Sequence, residues 1–180
     1  MSTVGPDAVI DLRELDPVAD LDLLVDWMNQ PHVMEWWSHD GPAEVVGAYL
    51  REQCALDYVT PWVASADDVP VAYLETYRVV DDPLAAYFEF EPTDLGWHVL
   101  VGPADMLGTG VPRAIARTVV GRLLDTPGTR RVFCEPDTRN ARMIRFCERL
   151  GCRRVATLER PGKTVALMMC TRDSFDASAT

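Results

Sequence analysis

The stretch Asp94-Leu-Gly-Trp-His98-Val-Leu-Val-Gly102, followed by Met106-Leu-Gly108-Thr-Gly110 and a helical run, decides how this chain is read. It describes an apolar strand carrying one histidine, then a glycine-rich turn that opens a helix. Such a turn offers free backbone N–H groups and the positive end of the helix dipole, which together suit a phosphate. The imidazole of His98 lies a few residues upstream, so a titratable base and an anion cradle share one strand-turn-helix unit. The pairing points to a transferase with a phosphate-bearing cofactor.

Residues 8–13 alternate as a first strand, and Asp16-Pro17 reads as an N-cap with proline at the first helical position. A helix is expected over residues 18–28, with Leu21, Leu24, Val25 and Met28 on one face, stopped at Asn29-Gln-Pro31. Residues 32–41 read as an aromatic-rich loop and residues 42–56 as a second helix. Residues 58–66 and 69–80 read as strands joined by the Asp67-Asp68 turn. Past a polar stretch and the opening strand, a helix is expected over 110–125, a strand over 130–135 and a helix over 139–150 ended by Gly151. A last strand pair, 152–158 and 164–171, flanks Pro161-Gly162. The order β-α-α-β-β-β-α-β-α-β-β mixes antiparallel hairpins with one strand-helix-strand crossover. It predicts a single α/β layered domain over residues 1–180, with about 1–6 and 176–180 frayed.

Composition narrows the function. The chain has 180 residues, 48% hydrophobic and 25% charged, enough for one domain with a sizeable core. No apolar run approaches the roughly eighteen residues of a membrane span. The opening Met1-Ser-Thr-Val-Gly-Pro-Asp-Ala8 lacks a basic segment followed by an apolar core, so no secretory signal is expected. Five cysteines (Cys54, Cys134, Cys147, Cys152, Cys170) without a C-x-x-C pair read as free thiols in a reducing cytoplasm. A net charge of −11 argues against nucleic acid and permits a cationic small molecule. His32 and His39 lack a third ligand at zinc spacing, so no metal is expected.

These residues resemble the GNAT acyltransferases, whose fold is a mixed, mostly antiparallel sheet flanked by helices. Asp105-Met-Leu-Gly108-Thr-Gly110 looks like the family's pyrophosphate loop, and Glu135-Pro136-Asp137-Thr-Arg-Asn140 resembles the second half of the cofactor site. The match is closer to the branch that acylates lysine, hydroxylysine or hydroxylated diamines for hydroxamate siderophores. It rests on Asn29-x-Pro31-x-Val33 with Trp36-Trp37, Ala72-Tyr73-Leu-Glu75-x-Tyr77, Asp81, Gly96-x-His98-x-Leu-Val-Gly102, Glu135-Pro136-Asp137-x-x-Asn140 and Ala166-Leu-Met168. Asp105 stands where Gln or Arg is more usual in the superfamily, and Pro112 removes one N–H from the first turn.

The resemblance implies an acetyl-CoA or other acyl-CoA cosubstrate and a small amine or hydroxylamine acceptor. An acyl-carrier protein is the less favoured donor, since carriers are usually acidic too. His98 is expected to take the acceptor's proton, with Asp137 orienting its ring. Cofactor contacts are expected from Val99, Val101, Leu107, Gly108, Thr109, Gly110, Val111, Arg113, Asn140 and Arg142. Trp36, Trp37, Glu75, Tyr77 and Asp81 are expected on the acceptor side, with Glu75 or an aspartate pairing a distal ammonium. Phe146 occupies the place where many GNAT enzymes carry a tyrosine that protonates the leaving thiolate, so His98 or water is left to return the proton. The alternatives are an aminoglycoside 6'-N-acetyltransferase conferring antibiotic resistance and a non-catalytic acyl-CoA-binding module. On the strand of His98, the resistance enzymes tend to carry an acidic residue.

Overall fold

The computed structural model describes residue 5 and residues 7–179. Its strands are β1 (Ile10–Glu14), β2 (Val59–Ala66), β3 (Val69–Arg78), β4 (Leu95–Val101), β5 (Arg131–Cys134), β6 (Arg153–Arg160) and β7 (Lys163–Thr171). They form one mixed sheet in the order β1-β2-β3-β4-β5-β7-β6. The helices are α1 (Leu21–Met28), α2 (Pro31–Met34), α3 (Ala43–Ala55), α4 (Val111–Asp125), α5 (Ala141–Arg149) and α6 (Arg172–Ala177). None is long and apolar enough to cross a membrane. Contacts gather into two compact units. One holds the described residues up to Thr76 together with His98–Ile115, and the other holds Tyr77–Trp97 with the described residues from Ala116.

In the first unit, β1 pairs antiparallel with β2, from Ile10 opposite Ala66 to Glu14 opposite Trp62. Asp67 and Asp68 turn the β2–β3 hairpin with left-handed backbones (φ 48° and 64°), which a two-residue hairpin with strand-matched twist requires. The core joins Leu24, Trp27 and Met28 of α1, Val46, Tyr49 and Leu50 of α3, Val63, Tyr73 and Leu100. The first helix starts at Leu21 instead of residue 18. Asp16 does accept the N–H groups of Val18 and Ala19 (2.9 and 3.0 Å), but this closes only a turn. The buried Asp20 carboxylate is gripped by the Arg13 guanidinium (2.6 and 2.7 Å) and the Asp16 N–H (2.9 Å), which holds the chain back at Asp20. The helix ends at Met28 with Asn29 as its C-cap, as expected, but Pro31 also opens the short α2 inside the segment expected to be a loop, where its missing N–H goes unneeded.

In the second unit, β4 begins parallel to β5, with Leu95 opposite Val132 and Gly96 opposite Phe133, so the expected crossover exists. β7 runs antiparallel to both β5 and β6. The buried Asp94 carboxylate receives the Arg131 guanidinium, Nε to Oδ1 at 3.0 Å, which ties the start of β4 to β5. All five cysteines are free thiols, and Cys147 is buried packing 3.5 Å from Cys134. Thr171 and Ser174 form a capping box at α6, so the tail expected to fray from residue 176 is helical as far as Ala177. Residues 1–4, 6 and 180, also expected to fray, lie outside the described residues.

Candidate active site

Alternation along β3 puts Tyr73 and Glu75 on one face of the strand, and both are buried. Glu75 is 4% exposed, a seat where a lone carboxylate would be strongly disfavoured. Three groups meet it. Oε1 accepts from the hydroxyls of Tyr73 (2.8 Å) and of Tyr49, carried by α3. Oε2 lies 3.0 Å from Nδ1 of His98 on β4. Burial pushes the Glu75 pKa up, but the bonds from His98 and the two tyrosines, with the charge of the imidazolium, hold it below the ordinary carboxylate range. Burial and the neighbouring Glu75 charge push both tyrosine pKa values up, so the phenols stay neutral donors. The His98 side chain is 32% exposed, against 6% for that of Glu75. The carboxylate is thus enclosed while the ring it holds meets solvent.

Aromatic side chains close over this network. Trp37 stands edge-on to Tyr73 (centroids 5.8 Å apart) and to His98 (6.2 Å). His39 stacks on Tyr49 at 3.8 Å. The indole N–H of Trp37 is buried near the Tyr49 hydroxyl without closing a hydrogen bond. The segment is pinned at its base, where the Asn29 amide donates to the Gly41 carbonyl (2.9 Å) and accepts the Gly41 N–H (3.1 Å). His32 donates through Nε2 to the Val101 carbonyl (2.9 Å), which ties α2 to the His98 strand. Trp36 is partly exposed.

The glycine turn belongs to the same unit. Gly108 (φ +87°) and Gly110 (φ +94°) both take left-handed conformations, and nothing lies within 4 Å of where a Gly108 Cβ would stand. Of the five N–H groups expected to cradle phosphate, those of Leu107, Thr109 and Val111 bond within the loop, to Ala104 O, Met106 O and Thr109 Oγ1. Among the described residues, those of Gly108 and Gly110 take no acceptor. The Arg113 N–H turns back to Gly110 O (3.0 Å). Two N–H donors, with open space at Gly108, at the head of a fifteen-residue helix fit a pyrophosphate.

Val99 and Val101 lie on β4 in the first unit, and the remaining candidates lie in the second. Asp137 accepts from Arg139 through Nε (2.9 Å), Nη2 (2.8 Å) and backbone N (2.8 Å), and its pKa falls to about 2. At Nδ1 of His98, where Asp137 was expected, the structure places Glu75, both of whose oxygens are engaged by His98, Tyr49 and Tyr73. Asn140 caps α5, accepting the Met143 N–H at 3.0 Å, and Arg142 is exposed on the first turn. Tyr77, expected to line the acceptor slot, is buried with its hydroxyl donating to Glu135 (3.1 Å). Asp81 pairs with Arg78 at the surface (2.7 Å). Sequence reasoning missed Tyr49, His32 and the donor role of Tyr73. The Tyr73-x-Glu75 spacing of two was the available sign for Tyr73, while Tyr49 looked like any other residue on an apolar helix face.

Residues 16–160 match the acetyltransferase (GNAT) domain. The N(6)-hydroxylysine O-acetyltransferase of Escherichia coli is 33% identical over 168 residues, which cover 93% of this chain and 53% of that protein. The chain thus spans about half the length of that relative. The lysine N-acyltransferase MbtK of Mycobacterium sp. (strain MCS) is 31% identical over 170 residues, 94% of this chain and 70% of that one. The aminoglycoside acetyltransferase AAC(6')-Ib, solved in complex with coenzyme A, superposes with a TM-score of 0.84 at 28% identity, covering 96% of this chain and all of that one. By its matched domain, its sheet and its relatives, the chain belongs to the GNAT acetyltransferase family.

Proposed function

We propose that this chain is an acyl-coenzyme A-dependent N-acyltransferase whose acceptor is a small amine or hydroxylamine of the lysine, hydroxylysine or hydroxylated diamine type, used in building hydroxamate siderophores. The observation that carries the reading is His98, a partly exposed imidazole held by a buried carboxylate, in the same unit as an open left-handed glycine turn. Relatives named for hydroxylysine and lysine acylation support the acceptor class.

Acyl-coenzyme A, when bound, supplies the thioester. The N–H groups of Gly108 and Gly110 would hold its pyrophosphate, aided by the dipole of α4. His98 takes the proton that the acceptor nitrogen must lose and returns it to the departing thiolate, since Phe146 offers no hydroxyl. Backbone N–H groups of residues 98–101 are the candidate donors to the carbonyl oxygen. Asp137, ionised at neutral pH by its bonds to Arg139, is the second catalytic candidate. Trp37 beside His98 and Tyr73 gives the acceptor's methylene chain an apolar wall.

The likeness to AAC(6')-Ib favours an aminoglycoside amine as the alternative acceptor. Thiol release from acetyl-coenzyme A, measured with lysine, hydroxylysine, hydroxyornithine, hydroxycadaverine and kanamycin, separates the two. Turnover is expected with one or more of the first four. Turnover with kanamycin alone would move the assignment to aminoglycosides, and no turnover with any would favour the binding module.

A further inference from the structure

We propose that Glu75 is a positioning residue for His98: it fixes the proton of the neutral ring on Nδ1 and makes Nε2 the base, while Tyr49 and Tyr73 hold the carboxylate for that task. The inference rests on the reading of His98 as the base, and it concerns how that base is built.

The geometry leaves Glu75 little else to do. One oxygen receives His98 Nδ1 and the other receives two phenols, so both are occupied inside the protein. With 4% of the residue exposed, it reaches an acceptor only through the ring it touches. An ionised carboxylate can only accept, so Nδ1 must donate and the lone pair of the neutral ring is left on Nε2. As the ring gains a proton in the reaction, the carboxylate 3.0 Å away stabilises the new charge. A purely structural seat would not call for a charge. A buried ion paired with its partner is often no more stabilising than an apolar side chain of similar size, and Tyr73 and Leu74 beside it are fully buried.

The groups facing the carboxylate are Tyr49 from α3, Tyr73 from its own strand and His98 from β4. Behind Tyr49 stand the stacked ring of His39 and the buried N–H of Trp37. Two neutral donors and one basic ring thus face a single negative charge. Removing that charge removes the stabilisation of the imidazolium, so a weaker base results and the acid limb of the activity profile moves to lower pH.

Three measurements on the full chain test this. The chain has three histidines, so single-histidine substitutions assign the ring 15N signals, and neutral His98 is expected as the Nδ1-protonated tautomer. In Glu75→Gln, which keeps the shape, kcat is expected to fall by about a hundredfold, with acceptor KM nearly constant and the acid limb displaced to lower pH. Tyr49→Phe with Tyr73→Phe keeps the core filled and leaves His98 as the donor to a more basic carboxylate, so the limb should move the opposite way, to higher pH. An Nε2-protonated ring in the wild type, or a Glu75→Gln profile that coincides with wild type while His98→Ala is inactive, would overturn the role of Glu75 alone. Full turnover in His98→Ala would remove the base itself and the positioning role with it.

Discussion

Gly102 ends the strand that carries His98, and it has no room for a side chain. A Cβ there would lie 2.1 Å from Cδ2 of Trp27, a buried ring that cannot swing aside. Gly102→Ala is expected to destabilise by about 1–3 kcal/mol, read as a lower urea midpoint at unchanged m-value; an unchanged midpoint would mean that Trp27 yields freely. Gly102 and Gly108 look alike in the sequence, one at a strand end and one in a turn, yet their causes differ. Gly108 needs its left-handed backbone and borders open space, which a glycine-rich turn before a helix announces. Gly102 needs the face of a ring 75 positions earlier in the chain (102 − 27), which no local pattern announces. Glu75 was legible as a motif residue and as a candidate partner for a distal ammonium, not as a partner of His98. Two of its partners lie 26 and 23 residues away, so the sequence left it available to a substrate that the folded chain does not let it reach directly.

At the scale of elements, α5 shows one residue with two readings. Asn140 matches the family's second motif and also caps the helix. Asn140→Ala is expected to cost about 1 kcal/mol of stability, and Asn140→Asp to retain nearly all of it, because aspartate caps as well as asparagine. Equilibrium denaturation of both variants checks this, and equal losses in the two would show that the cap bond is not the source. Helices α3 and α5 and the β2–β3 hairpin were readable because local signals set their limits: apolar spacing, Gly151, and a pair of aspartates able to adopt positive φ. The start of α1 was not, since Asp16 supplies the capping bonds that a helix start would show. What delays the helix is the Arg13 fork on Asp20, a contact made from β1. The stop after Met28 was read correctly, but the short α2 that Pro31 opens was not, because a proline that follows one helix and a proline that starts another look the same without the backbone around them.

For the molecule as a whole, the alternation of strands and helices indicated a mixed α/β sheet, and the crossover through α4 was readable as a parallel pair. The placement of β7 between β5 and β6 was not. It depends on Val132 meeting Cys170 and Leu158 meeting Val165, pairings that apolar alternation permits without selecting. The same limit applied to the chemistry. The residues pointed to a histidine and a glycine turn as the centre of a transferase site, and the GNAT resemblance implied acyl transfer, while the carboxylate behind the histidine came from packing. The most direct test of the account is the dependence of kcat/KM for acetyl transfer on pH, from about pH 5 to about pH 9, in wild type and His98→Ala with a lysine-type amine. The account predicts a wild-type profile that rises through one ionisation, and a variant at least about a hundredfold slower that lacks this step. A His98→Ala enzyme that keeps the wild-type rate and the wild-type acid limb would contradict it.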